Sequence, residues 1–108
     1  MATRSRIGIE NENGTISSIY CHFDGYPEGV GKTLKENYTD REVVKSLIKL
    51  GDISSLGNDI FSTVAYHRDR GEKLHKARTD ESLKAFSRSD YEVYGYVFTL
   101  ENKWVVFM

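Results

Sequence analysis

Cysteine occurs once in this chain, at position 21, so no intramolecular disulfide is available and a zinc site built on several thiolates is excluded. Such usage fits a reducing compartment. Proline also occurs once, and 39% hydrophobic with 29% charged residues is ordinary globular composition, which argues against long disordered stretches. An excess of one charge is missing too. Against 15 Lys and Arg stand 16 Asp and Glu, for a formal net charge of -1, so nothing pulls the whole molecule toward DNA, RNA or an anionic membrane surface. Any anion site must be local, and direct nucleic-acid binding is not expected. No stretch approaches the roughly 18 apolar residues of a membrane span, and the opening Met1-Ala2-Thr3-Arg4-Ser5-Arg6 leads into alternating residues rather than the apolar core of a signal peptide. The expectation is a cytoplasmic protein without membrane contact. With 108 residues there is apolar surface for one core, so residues 1–108 read as a single domain.

What is present is a clear alternation of patterns. Ile7 and Ile9 alternate with polar or small neighbours, Asn13-Gly14 tolerates positive φ, and residues 15–23 resume an extended pattern, which together predict a hairpin. Ile19, Cys21 and Phe23 share one face of its second strand. Ile16 is out of phase with them, and the pattern predicts a bulge near Ser17-Ser18. The dense turn signal Gly25-Tyr26-Pro27-Glu28-Gly29 precedes Val30, Leu34 and Tyr38 at helical spacing. Thr39-Asp40-Arg41-Glu42 has the form of a capping box ahead of an apolar stripe of Val43, Val44, Leu47, Ile48 and Leu50, and Gly51 is a natural stop.

Residues 52–58 read as a loop pinned by Ile53 and Leu56, and residues 60–67 as a third strand. Residues 72–78 carry few apolar side chains and read as a solvated segment, after which Thr79 caps a brief helix with Leu83 and Phe86 inward. A C-terminal hairpin follows, with Tyr94, Tyr96, Phe98 and Leu100 on one face, Val93 and Val97 on the other, and Trp104-Val105-Val106-Phe107 returning. Strands in sequence blocks with helices between them predict an α+β fold: an antiparallel sheet of about five strands, with two or three helices packed on one face.

Several constellations invite chemistry. Gly31-Lys32-Thr33 opens a helix after a strand, as in a phosphate-cradling loop, but five residues separate Gly25 from Gly31 where that loop needs about four. Cys21, His22 and Asp24 suggest a nucleophile with its base, yet strand alternation sets Cys21 on the opposite face from the other two. His22, Asp24, His67 and His75 lack close metal-ligand spacing. No catalytic residue, metal or cofactor is therefore assigned.

The stronger candidate is the polar face of the first hairpin. One bulge residue would set Arg6 near His22 and Arg4 near Asp24, beside Tyr20 and the turn at Gly25, Gly29 and Gly31. Tyr66, His67, Arg68 and Arg70 form a second knot of aromatic and cationic groups. Guanidinium, imidazole, a stacking ring and free turn amides are what a phosphorylated or nucleotide-like ligand needs. The many aromatic residues near the C-terminus leave open a second use, a protein interface or homo-oligomer seam, since helices on one face would leave the other exposed.

The blocks Thr3-Arg4-Ser5-Arg6-Ile7-Gly8-Ile9-Glu10, Ile19-Tyr20-Cys21-His22-Phe23-Asp24-Gly25-Tyr26-Pro27-Glu28-Gly29-Val30-Gly31, Leu50-Gly51-Asp52-Ile53-Ser54-Ser55-Leu56-Gly57 and Ala65-Tyr66-His67-Arg68-Asp69-Arg70-Gly71-Glu72 resemble a family of small bacteriophage and prophage proteins. The resemblance implies an accessory protein in an infected bacterial cell that acts on host machinery or host immunity, and together with the small single domain and the missing catalytic constellation it points to a counter-defence protein without catalysis. It would do so by sequestering a nucleotide-derived signal or by occupying a host defence protein such as a CRISPR or other antiviral effector. A small hydrolase acting on such a signal, with His22 or His67 as base, is the enzymatic alternative.

Overall fold

The computed structural model describes residues 2–108. Alternation builds the first hairpin: β1 (Ser5–Glu10) and β2 (Ile16–Cys21) pair antiparallel around Gly14, whose φ is +87°. Val30, Leu34 and Tyr38 all turn inward, from a π-helical turn (Pro27–Gly31) that runs into α1 (Lys32–Asn37). Helix α2 (Arg41–Lys49) buries Val44, Leu47 and Ile48. Its cap is Asp40 rather than Thr39, the Asp40 carboxylate accepting from the Glu42 amide at 2.8 Å.

Two segments depart from the sequence reading. Ile53–Ser55, expected within a loop, forms the short strand β3 beside β2. The strand expected over residues 60–67 contracts to β4 (Val64–Ala65) and turns at once into α3 (Tyr66–Arg70). The local cause is Asp69, which accepts from the Ala65 amide at 2.7 Å, and Gly71, which closes the helical turn at a φ of +67°. Thr79 likewise lies in a strand, β5 (Arg78–Asp80), and Ser82 caps α4 (Leu83–Ser87) by accepting from the Ala85 amide at 3.0 Å. The C-terminal hairpin forms as expected, from β6 (Tyr94–Phe98) and β7 (Trp104–Phe107).

The single α+β domain therefore stands, with more strands than five and a mixed sheet rather than an antiparallel one. The order is β4-β3-β2-β1-β6-β7, with β5 also on β2, and β1 runs parallel to β6 as β2 does to β3. The chain between β2 and β6 is long enough to make the crossover that parallel pairing requires. Among the described residues, no helix is long and apolar enough to cross a membrane.

The sheet is packed on both faces, which corrects the expectation of helices on one. Ile7, Ile9, Ile19, Cys21, Tyr96 and Phe98 meet Val30, Leu34, Tyr38 and the buried face of α2 in the main core. On the other face Ile16, Phe86 and Val97 form a smaller core with Leu83, Tyr91 and Phe107 packed against it. The bulge at Ser17-Ser18 does not exist, and the register runs unbroken from Ser5 opposite Cys21 to Glu10 opposite Ile16. Ile16 is out of phase because it belongs to this second core. The rings of Phe86 and Tyr91 come so near the sheet at Gly95 that a Cβ there would lie 2.9 and 3.0 Å from them. Only glycine lets both side chains approach the strand this closely.

Candidate functional site

Phe86 and Leu83 of α4, with Tyr91 and Phe107, cover one end of the second face, while β5 lengthens the sheet beside β2 and the end at Arg4 and His22 stays open. Arg6 lies at the boundary. The unbroken register sets Arg6 opposite Tyr20, not near His22. Its guanidinium donates from Nε to Ser18 Oγ at 3.0 Å and from Nη2 to the Ser18 carbonyl at 2.8 Å. Burial first, and then the neighbouring Arg78 guanidinium, lower its pKa from the ordinary value. Arg6 is thus committed to the sheet and not presented to a ligand. Arg6→Ala is expected to lower stability by roughly 1–3 kcal/mol, since the Ser18 carbonyl loses a charged donor in a half-buried site. Urea unfolding curves measure this.

Beyond Arg6 the expected groups do converge. The Tyr20 hydroxyl and His22 Nδ1 share a hydrogen bond of 2.7 Å. Arg4 and Tyr66 both lie close enough to Tyr20 to act on its hydroxyl. Its pKa is raised by burial first, with Arg4 opposing and then Glu92 and Tyr66 adding. The Arg70 guanidinium sits 5.3 Å from the centroid of the Tyr66 ring, and its Nη2 reaches Ser54 Oγ at 3.5 Å. The β2–β3 pairing continues through the His22 and Phe23 amides, which donate to Ile53 and Ser54, and so carries Ser54 and α3 alongside His22. Arg4, Tyr20, His22, Tyr66 and Arg70 therefore occupy one region of the open face. Neither Arg4 nor Arg70 enters an ion pair among the described residues.

Other expected members are used elsewhere. Arg68 pairs with Asp69 at 2.9 Å and donates to the Thr63 carbonyl at 2.6 Å, which locks α3 to the end of the preceding loop. The hydrogen bond from Arg68, and next that from the Ala65 amide, hold the Asp69 carboxyl below its usual range. His67 Nδ1 lies 2.8 Å from the Glu72 carbonyl. The glycine amides of the turn are already engaged and not free to cradle an anion. Gly25 donates to the Thr3 carbonyl, Gly29 to Tyr26, Val30 to Asp24 and Gly31 to Tyr26. Gly31 lies against the Tyr96 ring, on the side of the main core. The turn and the Arg4–Arg70 region are therefore not one anion-binding hollow.

Cys21 is buried on the face opposite the Tyr20–His22 pair, and burial pushes its thiol up to about 12. It is a core residue and not a nucleophile. Among the described residues, no group of three or more His, Cys, Asp or Glu is placed to hold a metal ion.

Two concavities are present, the first against the turn that the sequence singled out, with Asp24 and Gly29 in its lining, and the second at a place the sequence did not indicate. One, of about 120 Å³, opens beside the turn between Phe23, Tyr26 and Leu56. The other, of about 360 Å³, is an open groove between α2 and the exposed segment after α3, floored by Ile48, Leu74 and Ala77. The second depends on side chains from three separate segments that meet only in the fold, so no local spacing announces it. No protein-family model, no curated protein and no solved structure matches this chain.

Proposed function

We propose that this protein binds rather than catalyses, and that its ligand is a phosphorylated, ring-bearing molecule of nucleotide type. The reading rests on the clustering of two unpaired guanidinium groups with three rings on an open sheet face. Arg4 and Arg70 supply charge for phosphate, while Tyr66 and Tyr20 offer stacking surfaces and His22 a further polar contact. In the setting that the resemblance to small phage proteins implies, capture of such a molecule withdraws a nucleotide-derived defence signal from an infected cell.

Thermal unfolding in the presence of linear and cyclic nucleotides tests the proposal. A ligand at a hundred times its dissociation constant adds about 2.7 kcal/mol to the stability of the folded state. Arg4→Ala and Arg70→Ala are each expected to weaken binding about tenfold or more, which a charged hydrogen bond of roughly 1.5–3 kcal/mol supports. Both residues are exposed, so the ligand-free melting temperature should barely move. No stabilisation by any nucleotide would overturn the reading.

A second reading, occupation of a host defence protein, has its own support. Phe61 is 94% exposed, Phe23 42% and Tyr26 38%, although aromatic side chains of this size are normally withdrawn from water. Co-purification of a defence protein that depends on these residues would favour it.

A further inference from the structure

The concavity beside the turn combines aromatic and aliphatic walls with a carboxylate. Phe23 and Tyr26 stand at its mouth and Leu56 contributes apolar wall. Asp24 is exposed, and its carboxylate enters no ion pair among the described residues. Its side-chain hydrogen bond is the one accepted from the Tyr26 hydroxyl at 3.3 Å.

The backbone that presents this carboxylate is tightly determined. Asp24 has a φ of +58°, and its carbonyl accepts from the Val30 amide at 2.8 Å. Glycine at position 29 keeps the space clear, because a Cβ there would lie 2.4 Å from the Asp24 carbonyl oxygen and 3.0 Å from Tyr26 Cε2. Two carboxylates, Asp24 and Glu28, act on the Tyr26 hydroxyl. The Tyr26 hydroxyl is raised above its ordinary pKa by the Asp24 charge first, with Glu28 adding to it.

We propose that this hollow is a socket for the basic side chain of a partner protein, an arginine or lysine whose alkyl stem lies on Phe23, Tyr26 and Leu56 and whose charge meets Asp24. At about 120 Å³ it is well below the several hundred Å³ of small-ligand pockets, and it suits the end of one side chain. Two aromatic faces beside a carboxylate are the surroundings that a desolvating cation prefers over water. The inference deepens the second of the two readings above; the Phe23 ring adjoins the Arg4–Arg70 region through an edge contact with His22, ring centroids 4.6 Å apart, while Asp24, Tyr26 and Leu56 are no part of it.

The test is a titration followed by amide chemical shifts, with acetyl-Ala-Arg-Ala-amide, its lysine counterpart and its norleucine counterpart as probes. The cationic peptides are expected to shift amides of residues 23–26, 28–33 and 56 saturably, and the norleucine peptide is not. Asp24→Asn is expected to weaken the arginine peptide about tenfold or more. Asparagine tolerates positive φ as aspartate does, so the turn survives the substitution, and unchanged amide shifts in the sheet verify it. Arg70→Ala should leave the titration unaltered, which separates failure of this socket from failure of nucleotide binding. Shifts of equal size with norleucine, an undiminished response in Asp24→Asn, or no response to any cationic peptide would overturn the proposal.

Discussion

Tyr96→Ala is expected to lower the free energy of unfolding by about 3–5 kcal/mol, the range for truncating a fully buried aromatic residue. Tyr96 sits in β6, has no solvent exposure, and belongs to the main core with Ile7, Phe98 and the first helical segment. Its ring lies against Gly31, and its hydroxyl donates to the buried carbonyl of Gly25 at 2.7 Å. Burial first, and then Tyr94, keep that phenol protonated well above its ordinary range. The side chain therefore both fills the core and tethers the turn to the sheet. Tyr96→Phe separates the two roles. It should cost about 1–3 kcal/mol, the penalty for leaving the Gly25 carbonyl without its donor. Urea denaturation of the three proteins measures both values. A Tyr96→Ala cost below that of Tyr96→Phe would mean that the core closes over the lost ring, against the packing described.

The second large effect is a dependence on alkaline pH centred on Cys21. Burial raises its thiol from an ordinary value of 9 to about 12. The unfolded chain releases this proton near pH 9 while the native one retains it to pH 12. The stabilisation is accordingly complete below pH 9 and is lost as the pH climbs toward 12. At about 1.4 kcal/mol per pH unit, the loss amounts to roughly 4 kcal/mol across the interval. The phenols of Tyr38 and Tyr96, also raised by burial, act in the same direction. The informative quantity is thus the difference between the parent and Cys21→Ala, followed from pH 8.5 to 11 by urea midpoints. The parent should lose stability more steeply than the variant, and parallel curves would contradict the assignment. Iodoacetamide at pH 8 should label Cys21 only as fast as the protein opens.

How much of this was legible beforehand depended on range. Many residues whose partners lie a few positions away were read correctly: the Asn13-Gly14 turn, the apolar stripe of α2, the inward Val30, Leu34 and Tyr38, and the C-terminal hairpin. Some errors were local, since Asp40 and Ser82 took the caps expected of Thr39 and Thr79, and Asp69 with Gly71 turned residues 66–70 helical; the larger ones arose where a distant partner decides. Ile16 looked like a slipped register because the second core, which it enters with Phe86 and Val97, is assembled from the far end of the chain. Ile53 lies beside Cys21 in a pairing that no local pattern encodes. At the candidate site, the identity of the cationic and aromatic groups was visible and their allegiance was not. Arg6 and Arg68 read just like Arg4 and Arg70. What distinguishes them is that Ser18, Thr63 and Asp69 stand within reach of the first pair.

The placement of β1 between β2 and β6 has a bearing on biosynthesis. Ser5 faces Tyr94 and Ile9 faces Phe98 across the parallel pairing, so β1 acquires its second neighbour only after the long stretch of chain between them has been made. While the polypeptide emerges from a ribosome, the opening hairpin can zip up alone, but the outer amides and carbonyls of its first strand wait for the closing hairpin to be translated. Such non-local closure slows folding relative to helical proteins of similar length. A premature stop anywhere before β6 would yield an open-edged fragment exposed to proteases and self-association in place of a smaller working protein.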